Sequence, residues 1–391
     1  MFVALLLFCT SAIGAIDPEA HMSPRQIIQY NGYPEEEHWV TTTDGFILNM
    51  QRIPYGRQPD AAETSKPVFF LQHGLLGSST NFLTNSRDQS LAFLLADAGF
   101  DVWLGNVRGD TYSTNHTYLK PQDAEFWAWS WDEMVRYDLP AMIEYVVNQT
   151  GQSQIYYVGH SQGTLIAFTG FSNNLQLAAR IKAFYALAPV VKVGYIKGLT
   201  HYIAYLTPEI RDLFDIFGYH DFLPSTEFLR LFGETFCDIK KYGEEVCANC
   251  LFLVTGFDKP HLNLSRVSIY TSHNPAGTSV QNMVHYAQCH RANSYQMFDY
   301  GSSEENEAHY GQATPPMYDL ANLRVPTYTY TGTNDWLADP TDVEWLLGRL
   351  SSLGVLKRQI TIEGYEHLDF IWGNNVATDV YMSIINNAKE R

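Results

Sequence analysis

The spacing of apolar positions along this chain changes repeatedly, and the changes mark its elements. Six short runs rich in β-branched and aromatic residues recur: PVFFLQ (67–72), FDVWLGN (100–106), QIYYVGH (154–160), IKAFYALAP (181–189), VPTYTYTG (325–332) and LKRQITIEG (356–364). Near-continuous apolar runs of this length predict strands covered on both faces. Between them the period lengthens and predicts helices over Ser90–Ala98, Trp131–Val147 with a kink at Pro140, Gly163–Asn173, Thr341–Leu353 and Val376–Lys389. Near the start, WVTTT, an Asp44-Gly45 turn and FILNMQRI predict a hairpin from Trp39 to Ile53.

Strands alternating with helices predict an α/β fold with a mostly parallel central sheet and helices on both faces. The alternation stops between about 190 and 315, where the chain is helical and aromatic. This stretch begins just after one strand and ends just before another. It is therefore expected to be an insertion at the C-terminal edge of the sheet, where open α/β sheets bind ligands. A mainly helical cap over a site is the expected role.

Composition sharpens this picture. The chain has 391 residues, 14% aromatic and 17% charged, so it can bury a large core and is not a disordered sequence. Its formal net charge of −17 argues against a nucleic-acid partner or an anionic membrane surface at neutral pH. The first residues, MFVALLLFCTSAIGA, form a short uncharged apolar run ending in small residues, as in a secretory signal peptide cut after Gly14 or Ala15. No later run offers about 18 uncharged apolar residues, so no transmembrane segment is expected. Asn115, Asn148 and Asn263 stand in Asn-x-Ser/Thr sequons and are candidate glycosylation positions in an exported chain. The division expected is a signal peptide at 1–15, core at 16–190, cap or lid at 191–315 and core again at 316–391.

Without Cys9, which leaves with the signal, Cys237, Cys247, Cys250 and Cys289 remain, and an even count in an exported chain favours disulfides of open connectivity. Cys247-Ala-Asn-Cys250 imitates a redox CxxC, and His285 and His290 flank Cys289 as zinc ligands could. Neither has the surrounding unit or paired spacing it needs, so no metal and no cofactor is expected.

The chemistry centres on YVGHSQG (157–163), where a strand turns into a helix around a serine between two glycines. A tight strand–turn–helix of this form is a nucleophile elbow, which lifts the serine hydroxyl above the sheet. Serine at pH 7 needs a base, an acid to orient that base, and donors for the oxyanion. In the α/β-hydrolase arrangement the acid and base follow the serine in that order, each after a strand. Asp335 lies just past VPTYTYTG. Asp339 precedes Pro340 and reads as a helix N-cap, and Asp342 falls within the first turn of that helix. His367, after RQITIEG, is the last of 13 histidines and the only one beyond Asp335. Ser161, Asp335 and His367 are thus the candidate catalytic residues. His160, beside the nucleophile, is expected to point away and pack. For the oxyanion hole, one N–H belongs to Gln162 and the other to the HGLLG loop (73–77), with Leu75 preferred and Leu76 next.

The blocks HGLLGSS, DVWLGNVRG, WDEMVRYDLPAMIEYV, GHSQGT, TNDWLADPTDVEWLL and HLDFIWG resemble the acid lipase family of gastric and lysosomal lipases. YNGYPEEEHWVTTTDGFILNMQRIPYG resembles that family's entry segment, and the likeness runs from about residue 24 to 385. It implies an α/β-hydrolase core, a cap with a lid, and hydrolysis of triacylglycerols or cholesteryl esters. It puts the family's triad on Ser161, Asp335 and His367, its oxyanion donors on Leu75 and Gln162, and its cap disulfide on Cys237 and Cys247. The pattern departs around Cys250 and Cys289, whose pairing stays open.

The expected function is therefore a secreted or lysosomal lipid-ester hydrolase acting at an oil–water or membrane interface. An esterase or transacylase for small soluble esters is a second reading, and a non-catalytic lipid carrier a third. Within the insertion, Ile210, Leu213, Phe214 and Phe217 share a helical face, and Phe228, Leu231 and Phe232 repeat part of it. Such faces fit a movable lid whose opening at a lipid surface offsets the cost of exposing large apolar side chains, about 1.5–3 kcal/mol each.

Overall fold

The computed structural model describes residues 17–58, 65–205, 221–222 and 260–391. The 1–15 signal segment, Cys237, Cys247, Cys250 and the apolar faces between Ile210 and Phe232 lie outside these residues.

The main sheet is built from β1 (Glu36–Thr41), β2 (Phe46–Ile53), β3 (Val68–Gln72), β4 (Asp101–Gly105), β5 (Asn115–His116), β6 (Ile155–His160), β7 (Ile181–Leu187), β10 (Thr327–Gly332) and β11 (Leu356–Ile362). Their spatial order is β1-β2-β4-β3-β6-β7-β10-β11, with β5 paired to β2. From β4 to β11 every pairing is parallel, whereas β1, β2 and β5 pair antiparallel at one edge. Burial follows the residue pattern. Strands β3, β4, β6 and β10 are buried at every position, while the edge strand β11, with Lys357, Arg358 and Gln359, is largely exposed. Charges on an unpaired edge also discourage further strands from adding to it.

Helices α1 (Leu91–Asp97), α2 (Leu139–Thr150), α3 (Gln162–Asn173), α4 (Gly198–Tyr205), α5 (Val280–Ala292), α6 (Pro340–Ser352) and α7 (Met382–Lys389) are the longer helices used below. The break at Pro140 takes the form of a π-turn, Met134–Asp138, running straight into α2. Proline lacks an N–H and its ring crowds the carbonyl four residues back, so a widened turn at that point relieves both problems. Helix α6 starts as its sequence implies, with the Asp339 carboxylate accepting from Thr341 N at 2.8 Å and Pro340 in first position.

From Leu187 to Thr327 the described residues add no strand to the main sheet. Asp221–Phe222 (β8) and Thr278–Ser279 (β9) instead pair with each other, antiparallel. Cys289 in α5 departs from the pairing that an even cysteine count favours: it is a free, buried thiol, pushed up to about 12 by burial. His285 and His290 turn to other partners, Ser130 Oγ and the Gln296 carbonyl for the first, the Val193 carbonyl and His201 for the second. Asn115 and Asn148 are exposed, whereas Asn263 is part-buried and its Nδ2 donates to Asn85 Oδ1 at 3.0 Å. No described helix is long and apolar enough to cross a membrane.

One buried ion cluster braces the site end of the sheet. Arg108, 1% exposed, donates to Asp138 at 2.6 and 2.8 Å and to Asp44 at 2.7 Å, joining the hairpin turn, the loop after β4 and the start of α2. The single guanidinium faces both carboxylates, and removing one member of such a cluster costs far more than the intact cluster contributes.

Candidate active site

The turn between β6 and α3 is as tight as the Gly-x-Ser-x-Gly spacing demands. Ser161 has φ 54° and ψ −120°, a conformation that a non-glycine residue holds only when its surroundings impose it. A Cβ on Gly163 would lie 2.3 Å from the Gln72 carbonyl oxygen, so the elbow can seat against β3 only with glycine there. The same holds across the site: a Cβ on Gly74 would sit 2.8 Å from Ser161 Cβ. The HGLLG loop is therefore pressed directly onto the nucleophile position.

That loop is a type II-like turn, closed by Gly77 N to Gly74 O at 3.1 Å, with Leu76 in the left-handed region at φ 58°. It is held from outside by Ala276 N, which donates to the Leu76 carbonyl at 2.7 Å, and by Asn106 Oδ1, which accepts from Ser79 N at 2.8 Å. Gln162 is the first residue of α3, so its N–H has no acceptor within the helix. Gln162 thus offers its N–H from the residue after the serine, and the loop that carries Leu75 packs onto the serine through Gly74.

The candidate acid and base meet as chain order predicts. His367 Nδ1 donates to Asp335, at 2.9 Å from Oδ2 and 3.0 Å from Oδ1. Asp335 Oδ1 also accepts from Leu337 N at 2.9 Å and Ala338 N at 2.8 Å, which locks the carboxylate. The competing aspartates are otherwise engaged. Asp339 caps α6 and pairs with Lys197 at 2.6 Å, and Asp342 Oδ2 accepts from Tyr195 N. Burial pulls the His367 imidazole down, but the charge and hydrogen bond of Asp335 outweigh it and leave its pKa raised. An imidazole tied to a carboxylate through Nδ1 keeps Nε2 as its basic nitrogen.

His160 does more than pack. Its Nε2 donates to the His367 carbonyl at 3.0 Å, and the two rings lie 5.0 Å apart. Burial, then the charge of His367, lowers its pKa to about 3, so it stays neutral beside a base that takes up protons. Through this bond the elbow is fastened to the histidine loop, 207 residues on. No motif announces it. Adjacency to Ser161 is the only sequence signal.

Asp132, buried, and its part-buried neighbour Glu133 form a carboxyl pair whose titration bears on stability. Asp132 accepts from Phe298 N and the Tyr318 hydroxyl, each at 2.8 Å, and burial raises its pKa to about 7. Burial and the neighbouring Asp132 raise Glu133 to about 7 as well. A carboxyl raised in the folded state contributes stability that is full below its unfolded pKa near 4 and is lost as pH rises through 7. His160 and His285 act oppositely. Burial lowers both to about 3, so their contribution is present above about 6.5 and is lost as pH falls. Between about pH 4 and 6.5 the two sets oppose each other. Asp132→Asn removes one carboxyl from this balance. Its melting temperature is therefore expected to move upward relative to the unaltered protein as pH rises from about 4 to 7, by about 1.4 kcal/mol of stability per pH unit. A constant offset across that range, read by scanning calorimetry, would refute the assignment.

A mostly parallel sheet with a strained serine elbow at its C-terminal edge defines the architecture of an α/β hydrolase. The comparisons with known proteins agree. Residues 67–374 match the family described as the alpha/beta hydrolase fold, and residues 24–86 match the partial alpha/beta-hydrolase lipase region. The chain is 48% identical to the human (Homo sapiens) lysosomal acid lipase/cholesteryl ester hydrolase over 95% of its own length and 92% of that protein's. It is 47% identical to the rat (Rattus norvegicus) gastric triacylglycerol lipase, over 97% and 94%. Among solved structures, a putative lipase from Sulfolobus solfataricus aligns with a TM-score of 0.56 at 15% identity, covering 91% of this chain and all of that one, a likeness of fold alone. The chain belongs to the α/β-hydrolase fold family and, within it, to the acid lipases of the lysosomal and gastric type.

Proposed function

We propose that the protein is a secreted or lysosomal lipid-ester hydrolase that cleaves triacylglycerols, cholesteryl esters or both. The observation that carries the reading is the Asp335–His367 pair, fastened through His160 to an elbow that has Ser161 at its tip. In this mechanism His367 takes the Ser161 proton as the hydroxyl oxygen attacks the ester carbonyl. The N–H groups of Leu75 and Gln162 receive the oxyanion. As the intermediate collapses, His367 returns the proton to the departing alcohol and leaves an acyl group on Ser161. A water then repeats the sequence in reverse and releases the fatty acid. Asp335 keeps the imidazole oriented throughout. Residues 191–315 form the cap in this reading, with Cys237 and Cys247 as its disulfide. Asn115 and Asn148, exposed on the core, suit glycan attachment in an exported chain.

The substrate class is tested by following hydrolysis of a short-chain ester through its solubility limit, beside emulsified triacylglycerol and cholesteryl ester. Turnover of the emulsified lipids and a jump in rate past the limit are expected, because lid opening exposes apolar surface that only a lipid phase compensates. A smooth saturating curve with no hydrolysis of emulsified lipid would favour an esterase of soluble substrates.

A further inference from the structure

The Gln162 N–H is an oxyanion donor only if the peptide that carries it stays turned toward the reacting carbonyl. That peptide follows the strained Ser161, whose ψ of −120° sets its orientation. Strained backbone persists where neighbouring groups over-determine it. On the carbonyl side of the peptide, Ser161 O accepts from Thr164 N at 2.8 Å and from Thr164 Oγ1 at 2.7 Å. On the other side the restraint is the Gln162 side chain, 2% exposed.

Both ends of the Gln162 amide are held. Its Oε1 accepts from Asn282 Nδ2 at 2.9 Å and from the Tyr286 hydroxyl at 3.1 Å, and its Nε2 contacts Met134 Sδ at 3.4 Å. Asn282 is itself fully buried and fixed. Its Oδ1 accepts from Trp131 N at 2.9 Å, and its Nδ2 also reaches Thr278 Oγ1 at 3.0 Å. Asn282 and Tyr286 are one helical turn apart on α5, so both reach Gln162 from the same face.

We infer that Asn282 and Tyr286 are positioning residues for ester hydrolysis: by clamping the Gln162 side chain they hold the Gln162 N–H in the direction of the oxyanion. The inference rests on the serine mechanism proposed above. It adds that one oxyanion donor is held in place from α5, which lies within the chain's excursion away from the main sheet, between Leu187 and Thr327. Because the oxyanion forms only once the carbonyl is attacked and is absent from the bound ester, loosening the clamp lowers kcat and leaves KM nearly unchanged.

The test compares Asn282→Ala, Tyr286→Phe, Gln162→Leu and the Asn282→Ala/Gln162→Leu double variant on a soluble short-chain ester. Rates are taken per active site titrated with a fluorophosphonate, which removes any misfolded fraction. Losing a whole oxyanion donor costs about 100- to 1000-fold, so a misdirected one is expected to cost roughly 10- to 100-fold in kcat. Gln162→Leu and Asn282→Ala should each fall in that range with KM within about twofold. Tyr286→Phe should lose roughly threefold, and the double variant should be no slower than the worse single, since both changes cut the same restraint. Should Asn282→Ala not fold, Tyr286→Phe and Gln162→Leu decide alone: the first removes only the hydroxyl bond to Gln162, and the second removes the whole clamped amide, its Met134 contact included. Normal kcat in Gln162→Leu, additive losses in the double variant, or losses confined to KM would overturn the inference. Ser161→Ala run alongside separates the two layers. If it keeps activity the serine mechanism itself fails, whereas if it is inactive and the clamp variants are normal only this inference fails.

Discussion

Ser161→Ala is expected to lower ester hydrolysis by on the order of 10⁴-fold or more, with a melting temperature within a few degrees of the unaltered protein. Alanine keeps the Cβ that packs near Gly74 and accepts the same φ of 54°, so the elbow retains its shape. What disappears is the oxygen that attacks the carbonyl. The remaining oxyanion donors and the binding cleft support only weak residual turnover. Hydrolysis within tenfold of normal would show that another group performs the attack.

Asp335→Asn is expected to cost about 10⁴-fold in kcat, whereas Asp339→Asn should stay within about threefold. Asparagine at 335 can still accept from Leu337 N and Ala338 N through Oδ1, so the loop keeps its form. Its amide nitrogen, however, would face His367 Nδ1 as a donor and stabilise the wrong imidazole tautomer. At 339 the side chain only caps α6 and pairs with the half-exposed Lys197. Losing that pair should lower stability by about 1 kcal/mol or less. The reverse pattern, an active Asp335→Asn and an inactive Asp339→Asn, would move the acid to the other aspartate.

The parts of this site that could be read from sequence share one property: they lie on short segments whose local geometry demands particular residues. A side chain on Gly163 would run into β3 and one on Gly159 into the backbone of Gly163 and Thr164, and proline at 340 marks Asp339 as a cap and so leaves Asp335 as the candidate acid. The six runs read as strands all pair in the main sheet; burial on two faces gives the inner strands their dense apolar signature, whereas β11, expected to be covered on both faces, is a largely exposed edge strand. The edge hairpin extends three residues further toward the N-terminus than its alternation implied, to Glu36, and the two-residue β5 went unseen. Such short or polar strands are held by their neighbours rather than by their own pattern. Tertiary links were equally silent. His160 reaches a carbonyl 207 residues away, and Asn282 reaches back 120 residues to Gln162. A lone histidine or asparagine at such a position has no spacing by which to be recognised. Cys289 shows the limit of counting, since parity says nothing about whether a given thiol is bonded.

The central claim, that Ser161 carries the acyl group during turnover, is tested most directly by trapping. The protein is quenched in acid during hydrolysis of a chromogenic medium-chain ester, digested, and mapped by peptide mass. The acyl mass is expected on the peptide containing Ser161, to build up with the burst of released alcohol, and to be absent from Ser161→Ala. An alcohol burst with the acyl group on a different residue, or full turnover by Ser161→Ala without any adduct, would contradict it.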